Sequence, residues 1–176
     1  AIYSNGERGI YNDDGDIINC IVYRNNEGGI YNRGSVVNCT VYRNNLNGDA
    51  YGIANYGVIR NSIAWNNGSR DIIENHSNVH YSCFNQGRVF DQNIRANPLF
   101  VNTAGDSSTW DLRLQNGSPC IDAANPDDAP EKDIEGNFRP GADNKVCMGA
   151  YESPHQYEPA APPEPIRFYV SKKGNN

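Results

Sequence analysis

The feature that most restricts how this chain can fold is a short repeat in its first 67 residues. The heptapeptide NCIVYRN at residues 19–25 returns as NCTVYRN at 38–44 and as NSIAWNN at 61–67. The N-terminal AIYSN matches the end of the same unit. One asparagine column therefore runs through positions 5, 25, 44 and 67, with spacings of 20, 19 and 23 residues. A period of this length is typical of solenoid proteins.

Each period also contains a second motif, GIYN or GIAN, which begins at Gly9, Gly29 and Gly52. The β-rich segments of one period are too short to bury a face alone. When equivalent segments stack about 4.8 Å apart, their backbone groups pair with the coils above and below. The sequence therefore predicts an all-β fold, a right-handed parallel β-helix. One aliphatic column contains Ile10, Ile30 and Ile53, and a second contains Ile21, Thr40 and Ile63.

Composition supports this class and excludes several others. The chain has 26 Asn, 17 Gly and 11 Tyr but only four Leu and one Met, which argues against a helical protein. The net charge of −6 argues against a nucleic-acid partner. No apolar run is long enough to insert into a membrane, and no secretion signal is present. Because the first residue already lies inside a repeat, we expect any signal peptide to precede it.

The stacked polar and aromatic columns have structural interpretations. The amides of Asn5, Asn25, Asn44 and Asn67 are expected to form a ladder, each bonded to the same amide one coil away. Aromatic residues occupy another column, at Tyr3, Tyr23, Tyr42 and Trp65. If this column faces inward, it is core; if it faces outward, it is a contact strip for sugar rings or another protein. Cys20 and Cys39 are stacked neighbours, either as buried thiols or as a disulfide.

The repeat weakens after residue 67, and four short motifs follow it: NPLF at 97–100, GSPCID at 117–122, DIEGNFRP at 133–140 and GAYE at 149–152. Together they resemble the C-terminal part of bacterial right-handed β-helix proteins that carry a choice-of-anchor domain. The resemblance implies a secreted or surface-attached bacterial protein, usually without known enzymatic activity. It also implies a structural ion pair between Arg139 and Asp122 or Asp133.

The same resemblance suggests a disulfide. Cys147 occupies a position where this family usually has Asp, and Cys120 lies in the GSPCID element. If those elements lie side by side, Cys120 and Cys147 are the expected pair.

These features divide the chain into four parts. Residues 1–96 are predicted to form the coils, and residues 97–152 an irregular, loop-rich cap packed on the helix. Residues 153–165 form a Pro-rich linker. The extended tail, residues 166–176, resembles the opening strand of another β-helix. Its Phe168, Tyr169 and Val170 could therefore begin a next unit or add as a strand to a neighbouring subunit.

A catalytic site is not evident in the coils. Polysaccharide lyases and hydrolases on this fold need paired carboxylates, or a calcium cluster beside a basic residue, on adjacent coils. Asp13, Asp14 and Asp16 share one turn, but the next two coils do not repeat the acids. The turn is interpreted as a solvated loop, with weak Ca²⁺ binding as the functional option. No other cofactor is expected.

We therefore expect a non-catalytic structural module of a bacterial cell-surface or extracellular protein. Its partners would be copies of itself, joined through helix ends or the C-terminal strand into head-to-tail filaments. One alternative is a glycan-binding or adhesin module that uses the aromatic column to bind polysaccharide. Another is the remnant of a β-helix polysaccharide lyase or hydrolase.

Overall fold

A computed structural model describes residues 1–45, 48–73, 78–86, 90–140 and 144–153. Within them the chain winds through three parallel sheets, here named A, B and C, and returns to sheet A once per repeat. Each strand pairs with its equivalents one repeat earlier and later. Ile10, for example, lies beside Ile30, and Ile30 beside Ile53. The prediction of an all-β parallel β-helix is confirmed.

The strands are short, as the repeat requires. Sheet A contains β1 (Ile2–Tyr3), β4 (Ile21–Tyr23), β7 (Thr40–Tyr42), β10 (Ile63–Trp65) and β13 (Cys83–Phe84). Sheet B contains β2 (Ile10–Asn12), β5 (Ile30–Asn32), β8 (Tyr51–Asn55) and β11 (Arg70–Ile73). Sheet C contains β3 (Ile17–Ile18), β6 (Val36–Val37), β9 (Ile59–Arg60) and β12 (Val79–His80).

The interior of the β-helix is filled mainly by apolar side chains from all three sheets. Val22 and Val41 of sheet A, Ile30 of sheet B, and Val36 and Ile59 of sheet C belong to a single buried cluster. Burying aliphatic side chains of this size contributes about 1.5–3 kcal/mol each. The column of Ile10, Ile30 and Ile53 is part of this interior.

The turn from sheet C into sheet A uses left-handed backbone at one repeated position. Asn19, Asn38 and Asn61 have φ of 53°, 47° and 53°. Asparagine tolerates this conformation better than other residues with a Cβ atom, which explains why it recurs there. The turn that leaves sheet A is left-handed as well, at Arg24 and Arg43.

The C-terminal cap packs on the outer face of sheet A. It contains an antiparallel pair, β14 (Phe100–Asn102) with β15 (Asp111–Leu114), and two 3-10 turns at Ser107–Thr109 and Pro126–Asp128. Apolar cap residues form a second buried cluster with outward-facing residues of sheet A. The column of Ile21, Thr40 and Ile63 therefore lies under the cap. Every residue of β4, β7 and β10 is buried because both faces of the sheet are covered.

The asparagines of the C-to-A turn hold the cap in register. Asn38 Nδ2 donates to the carbonyls of Cys147 and Gly149, at 3.2 Å each. Asn61 Nδ2 donates to the carbonyl of Asn125 at 2.8 Å, and its Oδ1 accepts the Asn125 backbone N–H at 2.9 Å. The cap is thus bound by hydrogen bonds as well as by apolar packing.

A buried ion pair links two segments of the cap, one containing Arg139 and the other Glu152. Arg139 Nε donates to Glu152 at 3.0 Å, and Nη1 donates to Asn19 Oδ1 at 2.9 Å. Burial raises the pKa of Glu152 and lowers the pKa of Arg139. The partner of Arg139 is thus Glu152, and the expected pairing with Asp122 or Asp133 is wrong. Asp133 instead accepts the backbone N–H of Glu152 at 2.8 Å.

Residues 154–165 and the tail, including Phe168, Tyr169 and Val170, lie outside the described residues. Among those the structure does describe, no helix is long and apolar enough to cross a membrane.

Candidate functional site

The predicted asparagine ladder is present and continuous. Asn5 Nδ2 donates to Asn25 Oδ1, Asn25 Nδ2 to Asn44 Oδ1 and Asn44 Nδ2 to Asn67 Oδ1, each at 2.9 Å. The same oxygens also accept the backbone N–H of the preceding ladder residue, at 3.0–3.1 Å. Asn25, Asn44 and Asn67 are buried, whereas Asn5 is exposed. The ladder prediction is therefore confirmed.

The ladder has a direction and one closed end. Every amide donates toward the C-terminal coils, and the last one, Asn67, donates to Asp71 Oδ1 at 3.1 Å. Asp71 also accepts the backbone N–H groups of Asn67 and Asn85, at 2.8 and 2.7 Å. Burial raises the pKa of Asp71, and these hydrogen bonds oppose the rise. An ionised carboxylate accepts hydrogen bonds but cannot donate one, so the chain of amide-to-amide hydrogen bonds cannot continue beyond Asp71.

Within the described residues the two ends of sheet A differ, whereas β11 and β12 of sheets B and C pair on one side only, as β2 and β3 do. At the C-terminal end, residues 93 and 94 cover the edge of β13: Asn93 Oδ1 accepts the Ser82 N–H, and Ile94 N donates to the Ser82 carbonyl, both at 2.8 Å. At the N-terminal end, β1, β2 and β3 each pair on one side only among the described residues. Tyr3 and Ile18 on that edge are 45% and 44% exposed.

The aromatic column neither faces the β-helix interior nor forms an exposed contact strip, which were the two predicted arrangements. It faces away from the β-helix interior, yet Tyr23, Tyr42 and Trp65 are buried because the cap lies over them. Trp110 of the cap contacts the rings of Tyr23 and Tyr42, at centroid distances of 5.7 and 5.4 Å. The predicted contact strip is therefore wrong for these three residues. Only Tyr3, which stacks on Tyr23 at 4.7 Å, remains exposed.

An exposed aromatic pair lies instead on sheet B. Tyr11 and Tyr31 stack face to face at 4.8 Å, and Tyr56 contacts Tyr31 edge-on at 5.8 Å. Tyr11 is 64% exposed. The repeated tyrosine of the GIYN motif signalled this stack, but sequence analysis assigned it no role. The stack covers one face of each ring, and Tyr31 is further covered by Tyr56 and Arg8, so the exposed surface belongs mainly to Tyr11.

The cysteines are all free thiols, so the structure lacks the predicted pairing of Cys120 with Cys147. Their segments do lie side by side, since Met148 N donates to the Cys120 carbonyl at 2.9 Å. The thiols have different neighbours, however. Cys120 is hydrogen-bonded to Cys83, while the Cys147 thiol interacts with Glu152. The two segments are therefore adjacent, but their thiols are not linked.

Cys20 and Cys39 are stacked as thiols and not joined. Cys39 is fully buried, and burial raises its pKa well above the ordinary value. Cys20 is half-buried, and its hydrogen bond with Cys39 lowers its pKa to about 7.

The acidic turn does not gather its carboxylates. Asp13 lies 3.9 Å from Arg33, Asp14 accepts the Gly15 N–H at 2.8 Å, and Asp16 accepts the Ser35 N–H at 3.0 Å. Each oxygen thus serves a separate local contact. Within the described part of the chain, no group of three or more His, Cys, Asp or Glu residues could hold a metal ion. The weak calcium candidate is therefore not assembled.

A polar pocket that sequence analysis did not identify lies beside the turn leaving sheet A. Its volume is about 560 Å³, and we name it the arginine pocket. It is lined by Ser4, Arg24, Asn25, Asn26, Arg43, Asn45 and Gly48. The two arginines occupy equivalent positions in successive coils. Their recurrence in the motif YRN was the signal that could have located the pocket.

Aromatic rings position both guanidinium groups of the pocket. The Cζ atoms of Arg24 and Arg43 each lie 5.7 Å from the centroid of Trp110, and Arg43 also lies 5.6 Å from that of Tyr42. Neither arginine forms an ion pair with a described carboxylate. Two cations are therefore held near one another with no described carboxylate bonded to them.

Comparisons of this chain with protein-family models, with curated proteins and with solved structures return no match.

Proposed function

We propose that this chain is a non-catalytic structural module of a bacterial cell-surface or extracellular protein. In this role its β-helix extends by strand addition at the N-terminal edge and assembles head to tail. The observation that carries the proposal is the direction of the ladder. Asp71 ends it at one side, whereas the exposed Asn5 amide leaves an acceptor oxygen at the other.

The N-terminal edge has the chemistry of a strand acceptor. In a parallel ladder, alternate residues direct their backbone groups to opposite neighbours. Ser4 N, Ile10 N and Ile17 N all donate to the second coil. The N–H groups of Tyr3, Tyr11 and Ile18 therefore point away from the second coil. Such an edge accepts a further strand, from a preceding coil or from another chain.

The tail is the proposed occupant of this edge. Residues 166–170, IRFYV, have the apolar and aromatic character of a strand, and a Pro-rich segment separates them from the cap. Such a spacer favours docking onto a neighbouring molecule because it resists folding back. Phe168, Tyr169 and Val170 would then lie beside β1, where the outer ring face of Tyr3 is free.

The uses of the buried charges support a non-catalytic role. Arg139, Glu152 and Asp133 form one buried network within the cap, and Asp71 ends the ladder. These groups bond to backbone and to one another. Their occupied oxygens and nitrogens fit a structural role better than proton transfer to a substrate.

The test is the assembly state of the complete chain, measured by sedimentation velocity over a range of concentrations and by electron microscopy. We expect assemblies that grow with concentration. Removal of residues 166–176 should leave monomers, and Tyr3→Lys should do the same because a charged residue blunts the edge strand β1 on which the tail is proposed to dock.

Val101→Lys is the matched control. Val101 is 45% exposed, the same as Tyr3, but it lies on the cap. This variant should assemble normally. Monomers of the unmodified chain at every concentration, or equal loss in both lysine variants, would contradict the proposal. Cleavage of an acidic polysaccharide by the purified chain would favour the lyase or hydrolase alternative instead.

A further inference from the structure

We propose that the arginine pocket binds an acidic saccharide, with Arg24 and Arg43 holding its carboxylate groups. Although Ser4 of the pocket wall adjoins β1 and Arg43 packs on Tyr42, the two arginines come from the coils after β1 and lie on their outer surface. The site places a glycan-binding role on a surface that remains open.

The first argument is unused positive charge. Arg24 and Arg43 form no ion pair with a described carboxylate, although other arginines of the chain do, such as Arg60 with Asp128 at 3.4 Å. Asp106 is within electrostatic range of Arg24, but its pKa is lowered first by the Ser108 N–H and least by Arg24. Two guanidinium groups beside one ring repel each other, and a bound anion would relieve that repulsion.

The second argument is preorganisation. The contacts with Trp110 and Tyr42 restrict both guanidinium groups before any ligand arrives. A restrained arginine loses less conformational entropy on binding than a free one. Its planar fork matches the two oxygens of a carboxylate, which favours a carboxylate over a ligand without paired oxygens.

The third argument is the rest of the pocket wall. The side chains of Ser4, Asn26 and Asn45 make no hydrogen bond to a described residue, in contrast to the ladder residue Asn25 beside them. Free hydroxyl and amide groups suit the many hydroxyls of a sugar. The volume of about 560 Å³ lies within the range of small-molecule sites.

The fourth argument is repetition. The arginines recur once per coil, and coils of a parallel β-helix are about 4.8 Å apart. A polymer with a carboxylate on successive sugars could therefore contact both arginines at once. This favours a polyuronate chain over a single small anion.

The experiment measures binding of a hexamer of α-1,4-linked galacturonate to the complete chain. Titration calorimetry in buffer with a chelator gives the affinity, and tryptophan fluorescence reports on Trp110 beside the arginines. Maltohexaose is the neutral probe of equal length, and inorganic phosphate is the simple anion. We expect binding of the galacturonate hexamer that weakens with salt, and none of maltohexaose.

The double variant Arg24→Asn with Arg43→Asn should weaken that binding at least about tenfold. Asparagine suits these left-handed positions, since Asn66 occupies the next one with φ of 55°. An unchanged urea midpoint will show that the variant folds. The control, Arg70→Asn with Arg95→Asn, removes two exposed positive charges elsewhere and should bind normally.

Four results would overturn the inference: no binding of the hexamer at millimolar concentration, equal binding of maltohexaose, equal binding by the Arg24 and Arg43 double variant, or displacement by phosphate at matched concentration. The last would show an anion site without saccharide preference. These measurements do not depend on assembly. Failure of saccharide binding would therefore leave the strand-addition proposal intact, and failure of assembly would leave the saccharide proposal intact.

Discussion

The asparagine ladder predicts that identical substitutions will have unequal costs along its length. At the centre, Asn44 Oδ1 accepts from Asn25 N and Nδ2, at 3.0 and 2.9 Å. Its Nδ2 donates to the Val22 carbonyl at 3.0 Å and to Asn67 Oδ1 at 2.9 Å. Asn44→Ala removes these four bonds and a longer one from Nδ2 to the Tyr42 carbonyl at 3.4 Å, and it leaves the buried Asn25 N–H without its acceptor.

The magnitude follows from these contacts. An orphaned buried N–H costs about 1–3 kcal/mol, and each lost hydrogen bond contributes about 1 kcal/mol more. With one orphaned N–H and three further short bonds lost, we expect Asn44→Ala to reduce the free energy of unfolding by about 4–6 kcal/mol. The same change at the exposed Asn5 should cost about 1 kcal/mol or less, because Asn25 Oδ1 still accepts the backbone N–H of residue 5.

The assay is urea unfolding followed by circular dichroism and tryptophan fluorescence. The two variants are compared provided that they share one m-value, the slope of unfolding free energy against urea concentration. Asn44→Asp separates hydrogen bonding from packing because it preserves size. Its carboxylate would face two acceptors, so its pKa should be raised. The variant should then be most stable at acid pH and lose stability as pH rises through that pKa. Equal costs at Asn44 and Asn5 would refute the reasoning.

Three further predictions concern other contacts. Gly149→Ala should lower stability by about 1–3 kcal/mol in urea unfolding, because a Cβ there would lie 2.7 Å from Thr40 Oγ1 at a φ of 88°; unchanged stability would contradict the close docking of the cap. Arg139→Met should cost about 3–5 kcal/mol by leaving Glu152 buried and unpaired, whereas a thermal melt matching that of the unmodified chain would argue against a buried pair. Cys20, with its pKa lowered to about 7, should be the thiol that iodoacetamide alkylates in the native chain, and alkylation should be faster above that pH than below it. Mass spectrometry should find no adduct in Cys20→Ser. Labelling of the four buried thiols instead would contradict the packing.

The repeat made the coils predictable from sequence. Residues at one position of successive units must stack, so Asn5, Asn25 and Asn44 could be placed in one ladder without knowing anything else about the fold. The column of Ile10 and Ile30 followed by the same logic. Local periodicity is enough wherever partners are one coil apart.

The aromatic column was not predictable because its environment comes from far along the chain. Val22 and Tyr23 are adjacent apolar residues, and alternation alone does not say which faces the interior. The cap buries Tyr23 by means of Trp110, which is 87 residues further on in the chain. The arginine pocket was missed for a related reason, since the same Trp110 holds Arg24 and Arg43 in place.

The asparagines of the C-to-A turn have a consequence for how such a chain can change over evolution. The cap contacts Asn19, Asn38 and Asn61, which belong to three successive turns of the β-helix. The cap therefore fits a β-helix in which these three turns are one coil apart. Duplication of a repeat between Asn38 and Asn61 would displace one anchor from its partner in the cap. None of the hydrogen bonds between described cap residues and these turns involves a residue ahead of Asn19, so gain or loss of whole repeats is expected there.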